Sequence, residues 1–405
     1  MKLLWVKAGG LVPLDTGGKI RSYHILKELA LKHDVTFFTF YAAHPDDAHP
    51  QLERIFARAV SLPLDIPKPG SLADYLNYGR RLFSRFPYAM AKFYHPVVYK
   101  KLREVLREET YDVIVADFLV GAGVVPWKFP CPKVLFTHNV EAMIWQRHYQ
   151  VARNPLWKLV CWREYRAMEA CERRYLELAD RVLTVSEADR NVFAQLIDPN
   201  KIEVIPTGVD VDYFRPEPAA RNANTLVFTG SMDWLPNEDG MFWFMERIMP
   251  AVRGEVPDVT LEIVGRRPSE ALKALAAKER GVVVTGRVDD IRPFVRDAAV
   301  YVVPLRVGGG TRLKIFEAMA MGKAVVSTTI GAEGLPVTHA RNIILADEPE
   351  EFARQVVRLL NAPAERSALG QAARQLVESE YSWQAVAARF EEVLNSVSEK
   401  LDARS

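Results

Sequence analysis

The chain is poor in three things, and each shortage excludes something. Cysteine comes first: Cys131, Cys161 and Cys171 are the only ones in 405 residues. Their odd number and wide spacing fit neither a disulfide framework nor a metal-ligand pattern, so they read as buried thiols in a reducing compartment. Net charge comes second. With 53 Lys and Arg against 51 Asp and Glu, nothing global points to nucleic acid, and any basic site is local. Long apolar runs come third. No stretch approaches the roughly 20 residues of a membrane-spanning helix. Residues 3–6, apolar and followed by Lys7, form a first strand too short for a signal-peptide core. The expectation is a cytoplasmic protein with no metal site and no bound cofactor.

What is present is ordinary globular composition in a chain too long for one core, which predicts two domains. Short apolar runs at 3–6, 35–41, 112–116, 134–137, 182–185 and 203–205 read as strands, with helical patterns between them, including 18–31 and 96–109. After Pro206 the series restarts at 226–229, 260–264, 282–285, 300–303, 324–327 and 342–345. Strands alternating with helices predict right-handed βαβ units and parallel sheets. The fold class is therefore α/β, with two Rossmann-like domains of six strands each. Residues 206–225, with Pro216 and Pro218, form the linker. Parallel sheets bind ligands beyond the carboxyl ends of their strands. Two sheets facing across a cleft would present their sites on opposite walls.

The richest segment runs from Pro304 to Gly322. A buried strand leads into Gly308-Gly309-Gly310-Thr311 and then an amphipathic helix carrying Arg312, Lys314 and Glu317. A helix N-terminus supplies unpaired N–H groups and partial positive charge to a phosphate. Arg and Lys in a first turn oppose the helix dipole, so stability alone does not place them there. Glu317, one turn on, leans back toward the same pocket, where a ribose diol is its natural partner. The ordinary reading, a tight loop with solvated charges, is the weaker one. Gly230, Gly265 and Gly286 also end strands and outline the same rim.

In the first half, Gly17 and Gly18 open a helix, Asp117 ends one strand, and His138 and Asn139 end another. Residues 75–103 hold seven basic residues, no acidic one and eight aromatics, among them Phe83, Phe86 and Tyr94. They read equally as an anionic-membrane or polyprenyl-phosphate surface and as a solvated helix pair with aromatics in the core.

On these residues the chain resembles glycosyltransferase family 4, the retaining group with the GT-B fold. Gly17-Gly18-Lys19-Ile20-Arg21 is similar to the family's first Gly-Gly loop, and Thr137-His138-Asn139 to its His-bearing strand end. Val185-Ser186-Glu187 resembles a common strand-to-helix step, and Ile205-Pro206-Thr207-Gly208-Val209-Asp210 the entry to the second domain. The stretch from Thr229 to Asn237 and the 308–322 segment resemble a bacterial subgroup making surface polysaccharides and glycolipids. Tyr381-Ser382-Trp383 is similar to the family's terminal aromatic-Ser-Trp, which implies a first domain of 1–206, a second of 207–383, and a last helix of about 384–405 packing back on the first.

The resemblance implies retaining transfer of a sugar from a nucleotide diphosphate, UDP or GDP, to a saccharide or polyprenyl-linked acceptor. It implies catalytic roles for His138, Arg312 and Lys314. It implies donor contacts at Gly17, Gly18, Gly230, Gly265, Arg266, Gly286, Arg287, Val288, Gly309, Gly310, Thr311 and Glu317, and acceptor-side roles for Arg21, Asp117 and Asn139. Two departures stand out. The family's first carboxylate falls on Gly309, and its diphosphate-binding Arg and Lys are replaced by Ser231-Met232 and Asn237. Arg312 and Lys314 are expected to supply that charge instead. The alternatives are a nucleotide-sugar epimerase on the same fold and an inactive nucleotide-binding homologue supporting a partner transferase. Peripheral contact with the inner face of the membrane would run through 75–103.

Overall fold

A computed structural model describes residues 1–44, 47–218, 224–307 and 313–402. The chain divides into two compact units, one joining Met1–Pro206 to the chain from Val386 onward, the other Thr207–Ala385.

The first unit is built on β1 (Lys2–Ala8), β2 (Asp34–Ala42), β3 (Arg58–Leu64), β4 (Val113–Asp117), β5 (Lys133–Phe136), β6 (Arg181–Thr184) and β7 (Ile202–Val204). They pair in parallel in the order β3-β2-β1-β4-β5-β6-β7. The central strands read as continuous apolar runs because both sheet faces are covered, so β1 buries Leu3, Leu4, Trp5 and Val6 completely. The sheet has seven strands where the sequence predicts six. The extra one, β3, lies at the edge and is mostly half-buried. It carries Ser61 and Pro63, which only an edge tolerates, and so hides from a search for apolar runs. The first strand also continues past Val6, taking Lys7 into its interior.

The second unit contains β8 (Thr225–Thr229), β9 (Thr260–Val264), β10 (Val282–Gly286), β11 (Val300–Val303), β12 (Ala324–Ser327) and β13 (Ile344–Leu345). All are parallel, in the order β10-β9-β8-β11-β12-β13. In each unit the strand order reverses once, beside β1 in the first and beside β8 in the second. Loops at such switch points diverge to opposite faces and leave a crevice at the carboxyl ends.

The helices that matter below are α1 (Gly17–Leu29), α2 (Leu72–Arg80), α3 (Pro96–Glu108), α4 (Glu141–Val151), α5 (Pro155–Leu178), α6 (Leu235–Trp243), α7 (Leu313–Ala320) and α8 (Trp383–Asp402). The last of these docks on the first unit. Phe390 stacks on Trp5 at 5.2 Å between ring centroids and meets Phe136 edge-on at the same distance. Lys32 and His33 both reach Glu391, at 2.8 and 3.0 Å. Among the described residues no helix is long and apolar enough to cross a membrane.

Candidate functional site

In the second unit, the carboxyl ends of β8, β9 and β10 converge on three glycines. The Gly230 N–H donates to Val264 O at 2.9 Å, and the Gly265 N–H donates to Gly286 O at 3.2 Å. A Cβ on Gly265 would overlap the Gly230 carbonyl. That obstacle is backbone and cannot swing aside. Gly265→Ala is therefore expected to destabilise the unit by about 3 kcal/mol, read as an earlier thermal transition. Gly286 sits at φ +70 beside a register shift in β10, a conformation glycine adopts without strain. A Cβ on Gly230 would lie 2.7 Å from both Asn237 Nδ2 and Lys314 Nζ.

Those two side chains are bonded to each other. Lys314 Nζ, from the first turn of α7, donates to Asn237 Oδ1 at 2.7 Å and lies 4.2 Å from the centre of the Phe228 ring. Asn237 Nδ2 in turn donates to Ser231 O at 2.8 Å. The ammonium is thus held at the end of β8, beside a glycine with no side chain to shield it. One turn along α7, the Glu317 carboxylate has no hydrogen-bond partner among the described residues. Burial pushes its carboxyl up to about 7, although Lys314 pulls the other way. Arg266 is exposed and donates through Nε to Ser231 Oγ at 2.7 Å. Arg287 is exposed, while Val288 packs against the unit's core. Gly309, Gly310, Thr311 and Arg312 lie outside the described residues.

The first unit gathers a different set at its own switch point. Asp117, at the end of β4, is fully buried and takes four hydrogen bonds. Its Oδ2 accepts from Ser22 Oγ at 2.6 Å, Trp5 Nε1 at 2.9 Å and Lys7 Nζ at 3.0 Å. Its Oδ1 faces His138 Nε2 at 2.8 Å. Arg21 Nη1 lies 2.7 Å from His138 Nδ1. A guanidinium only donates, so Nδ1 accepts and the ring proton sits on Nε2, directed at Asp117. Burial drives the His138 pKa down to about 3, with Asp117 opposing only in part. Burial alone would raise the Asp117 carboxyl, but the Lys7 charge and the hydrogen bonds from His138 and Ser22 outweigh this and hold it well below the usual carboxylate range. Burial also lowers Lys7, and brings Arg21 to about 10. The Phe118 ring stacks flat on His138 at 3.9 Å and receives the Lys7 ammonium at 4.5 Å.

The structure thus brings Arg21, Asp117 and His138 together and places Gly18 beside them. A Cβ on Gly18 would come within 2.6 Å of the Phe118 ring. Gly17 is exposed, and a Cβ there would meet open space. Asn139 is exposed at the β5–α4 turn. Lys7, Ser22 and Trp5 were missed by the sequence reading. The available signal was Lys7 itself, a charge inside an otherwise buried parallel strand. The segment 75–103 divides: Phe86, Phe93, Tyr94 and Tyr99 pack against the unit's core, while Tyr75 and Phe83 stay exposed. Among the described residues no three His, Cys, Asp or Glu side chains gather as metal ligands would.

Residues 16–213 match the family profile described as Glycosyltransferase Family 4, and residues 223–362 the profile described as Glycosyl transferases group 1. The chain belongs to glycosyltransferase family 4. It is 25% identical over 389 residues to the MMP alpha-(1->4)-mannosyltransferase of Mycolicibacterium hassiacum, covering 90% of this chain and 91% of that one. It is 29% identical over 247 residues to a GDP-mannose-dependent alpha-(1-6)-phosphatidylinositol monomannoside mannosyltransferase of Mycobacterium tuberculosis, covering 55% and 63% of the two chains. HepE of Anabaena, solved with UDP, superposes with a TM-score of 0.64 over 98% of this chain and 100% of its own, at 17% identity. That likeness shows the fold: this family 4 chain has the two parallel-sheet, Rossmann-like domains of GT-B glycosyltransferases.

Proposed function

We propose that the protein transfers a sugar from a UDP- or GDP-sugar to a hydroxyl of a saccharide or lipid-linked acceptor, with retention at the anomeric carbon, in the synthesis of cell-surface polysaccharide or glycolipid. The observation that carries this reading is the Lys314 ammonium, fixed by Asn237 at the open end of β8, with the Glu317 carboxyl one turn further along α7. Such a transfer needs a stabilised leaving group more than a strong nucleophile. Charge building on the β-phosphate is met by Lys314 and the positive end of α7, both in place before the reaction begins. The charge is supplied without a metal ion, so transfer proceeds in the presence of a chelator. Support for the donor class comes from the mycobacterial relative named as GDP-mannose-dependent and from HepE, solved with UDP. The phosphatidylinositol mannoside in the former's name supports a glycolipid acceptor. Free, buried thiols at Cys131, Cys161 and Cys171 suit a cytoplasmic setting.

Glu317 holds the ribose hydroxyls, and the base lies near Gly286, Arg287 and Val288. Since both ring nitrogens of His138 are bonded, His138 reaches a substrate only by releasing Arg21 or Asp117. Transfer to a saccharide acceptor, followed by NMR of the product's anomeric proton, tests the whole reading. Retained configuration is the expected result, and an inverted product contradicts it.

The Glu317 carboxyl gives a pH test. Its pKa of about 7 means the proton leaves as pH rises from 6 to 8, and the carboxylate is the stronger acceptor for ribose hydroxyls. Nucleotide binding to the native protein is expected to tighten over that range more than binding to Glu317→Gln. The nucleotide's own phosphate ionisation is common to both, so titration calorimetry isolates the Glu317 contribution as the difference.

A further inference from the structure

The donor reading leaves one broad surface of the first unit unused. Two stretches of the sequence, 75–103 and 142–163, contain no Asp or Glu at all. The second carries Arg147, Arg153, Lys158 and Arg163 among Trp145, Trp157 and Trp162. The fold joins them. Arg163 Nη2 donates to the carbonyls of Ser84 at 2.6 Å, Phe86 at 3.2 Å and Arg81 at 3.3 Å. Glu164 beside it accepts from the Tyr88 N–H at 2.7 Å.

Around that junction the apolar side chains face outward. Helix α2 has no buried residue, and its Leu72, Tyr75 and Leu76, spaced i, i+3, i+4, form one exposed stripe. Phe83, in the turn that Arg163 grips, is 96% exposed. The start of α5 is apolar on its solvent side: Leu156, Trp157, Leu159 and Trp162 are all exposed, and the buried stripe begins only at Cys161 and Glu164. Single exposed apolar residues are ordinary, but two exposed apolar clusters tied to one another are not.

We infer that this composite face docks the first unit onto an anionic lipid bilayer, with Phe83 and the first turns of α5 entering the interface. Charge decides the occupant. Arg80, Arg85, Arg147, Arg153 and Lys158, on the segments that carry or flank these apolar side chains, are exposed, which suits phosphate-bearing headgroups beneath which Trp and Leu side chains bury. A second copy of the chain meeting itself here would set basic side chains against basic ones, since a two-fold contact pairs a patch with itself. The inference stands apart from the donor site, and no residue of one belongs to the other.

The test is co-sedimentation of the full chain with vesicles of phosphatidylcholine alone and with added phosphatidylglycerol. Binding to the anionic vesicles is expected to be at least about tenfold tighter and to weaken in about 0.5 M salt, with a blue shift of tryptophan emission. Phe83→Ser together with Trp157→Ser should lower vesicle affinity by about tenfold. The melting temperature and nucleotide binding should stay nearly unchanged, because Phe83 is almost fully exposed and Trp157 half exposed. Absence of sedimentation with anionic vesicles, or equal binding by the folded double variant, overturns the inference. A native dimer in sedimentation velocity that the double substitution dissolves overturns it too, and assigns the face to protein contact. Loss of nucleotide binding with vesicle binding intact counts against the donor reading alone.

Discussion

Lys314→Ala is expected to lower kcat/KM by about 10²–10³-fold. The ammonium is held by Asn237 and lies over the Phe228 ring at the open end of β8, where the proposed reaction would build charge on a departing diphosphate. Its removal has a second consequence. Lys314 pulls the Glu317 carboxyl down against burial, so without it Glu317 is protonated to higher pH and, in the proposed role, would accept ribose hydroxyls less well. Both effects act in the same direction. Lys314→Arg keeps the charge but brings a planar fork where a compact ammonium sits, and is expected to recover only part of the activity. Steady-state kinetics on protein with native melting behaviour separates this from unfolding. A fall smaller than about threefold would mean that the leaving group is stabilised elsewhere.

Asp117→Ala has the largest expected effect on stability, a loss of about 3–5 kcal/mol. The substitution strands the Lys7 ammonium, which is 2% exposed at the side chain, and removes the acceptor for Trp5, Ser22 and His138 at once. Adding Lys7→Met should restore part of the loss by removing the stranded charge, and a double-mutant cycle by denaturant unfolding measures it. The pH dependence has a definite sign. Asp117 has its pKa depressed on folding, so its contribution is full above the unfolded value of about 3.9 and is lost as pH falls further. His138, buried neutral with a pKa of about 3, binds fewer protons folded than unfolded. The first unit therefore begins to lose stability as pH drops through about 6.5.

Both sheets were legible in the sequence because buried parallel strands are continuous apolar runs, a signal that needs no partner to be read. The same rule explains what escaped. Edge strand β3 is half-buried and carries Pro63, and the end of β1 carries Lys7, so neither matched the rule. The candidate site of the second unit could be outlined from the sequence, since Lys314 and Glu317 sit in one helix and the glycines end neighbouring strands, while Gly309, Gly310, Thr311 and Arg312 lie outside the described residues. The Asn237 partner of Lys314 lies 77 positions away in the chain, and no local spacing announces it. The first unit's cluster was legible only in pieces. Trp5, Lys7, Ser22, Asp117 and His138 converge because the strand order places β4 beside β1 and β5 beside β4. The membrane-facing expectation for 75–103 could be drawn from the sequence only in part, for a related reason. Interleaved aromatics look alike in sequence whether they face core or solvent, and the exposed ones had their companions on α5.

The central claim is that the β8–α7 region of the second unit is a working nucleotide-diphosphate site. Thermal shift of the full chain against uridine, guanosine, adenosine and thymidine diphosphates, without metal and then with Mg²⁺, tests it most directly. A ligand at about a hundred times its Kd adds roughly 2.7 kcal/mol to the folded state, enough to move the transition by several degrees. The account predicts a clear shift with one of these nucleotides in the absence of metal, lost in Lys314→Ala. No shift with any of them, or a shift that Lys314→Ala leaves intact, would contradict it and bring the inactive-homologue reading forward.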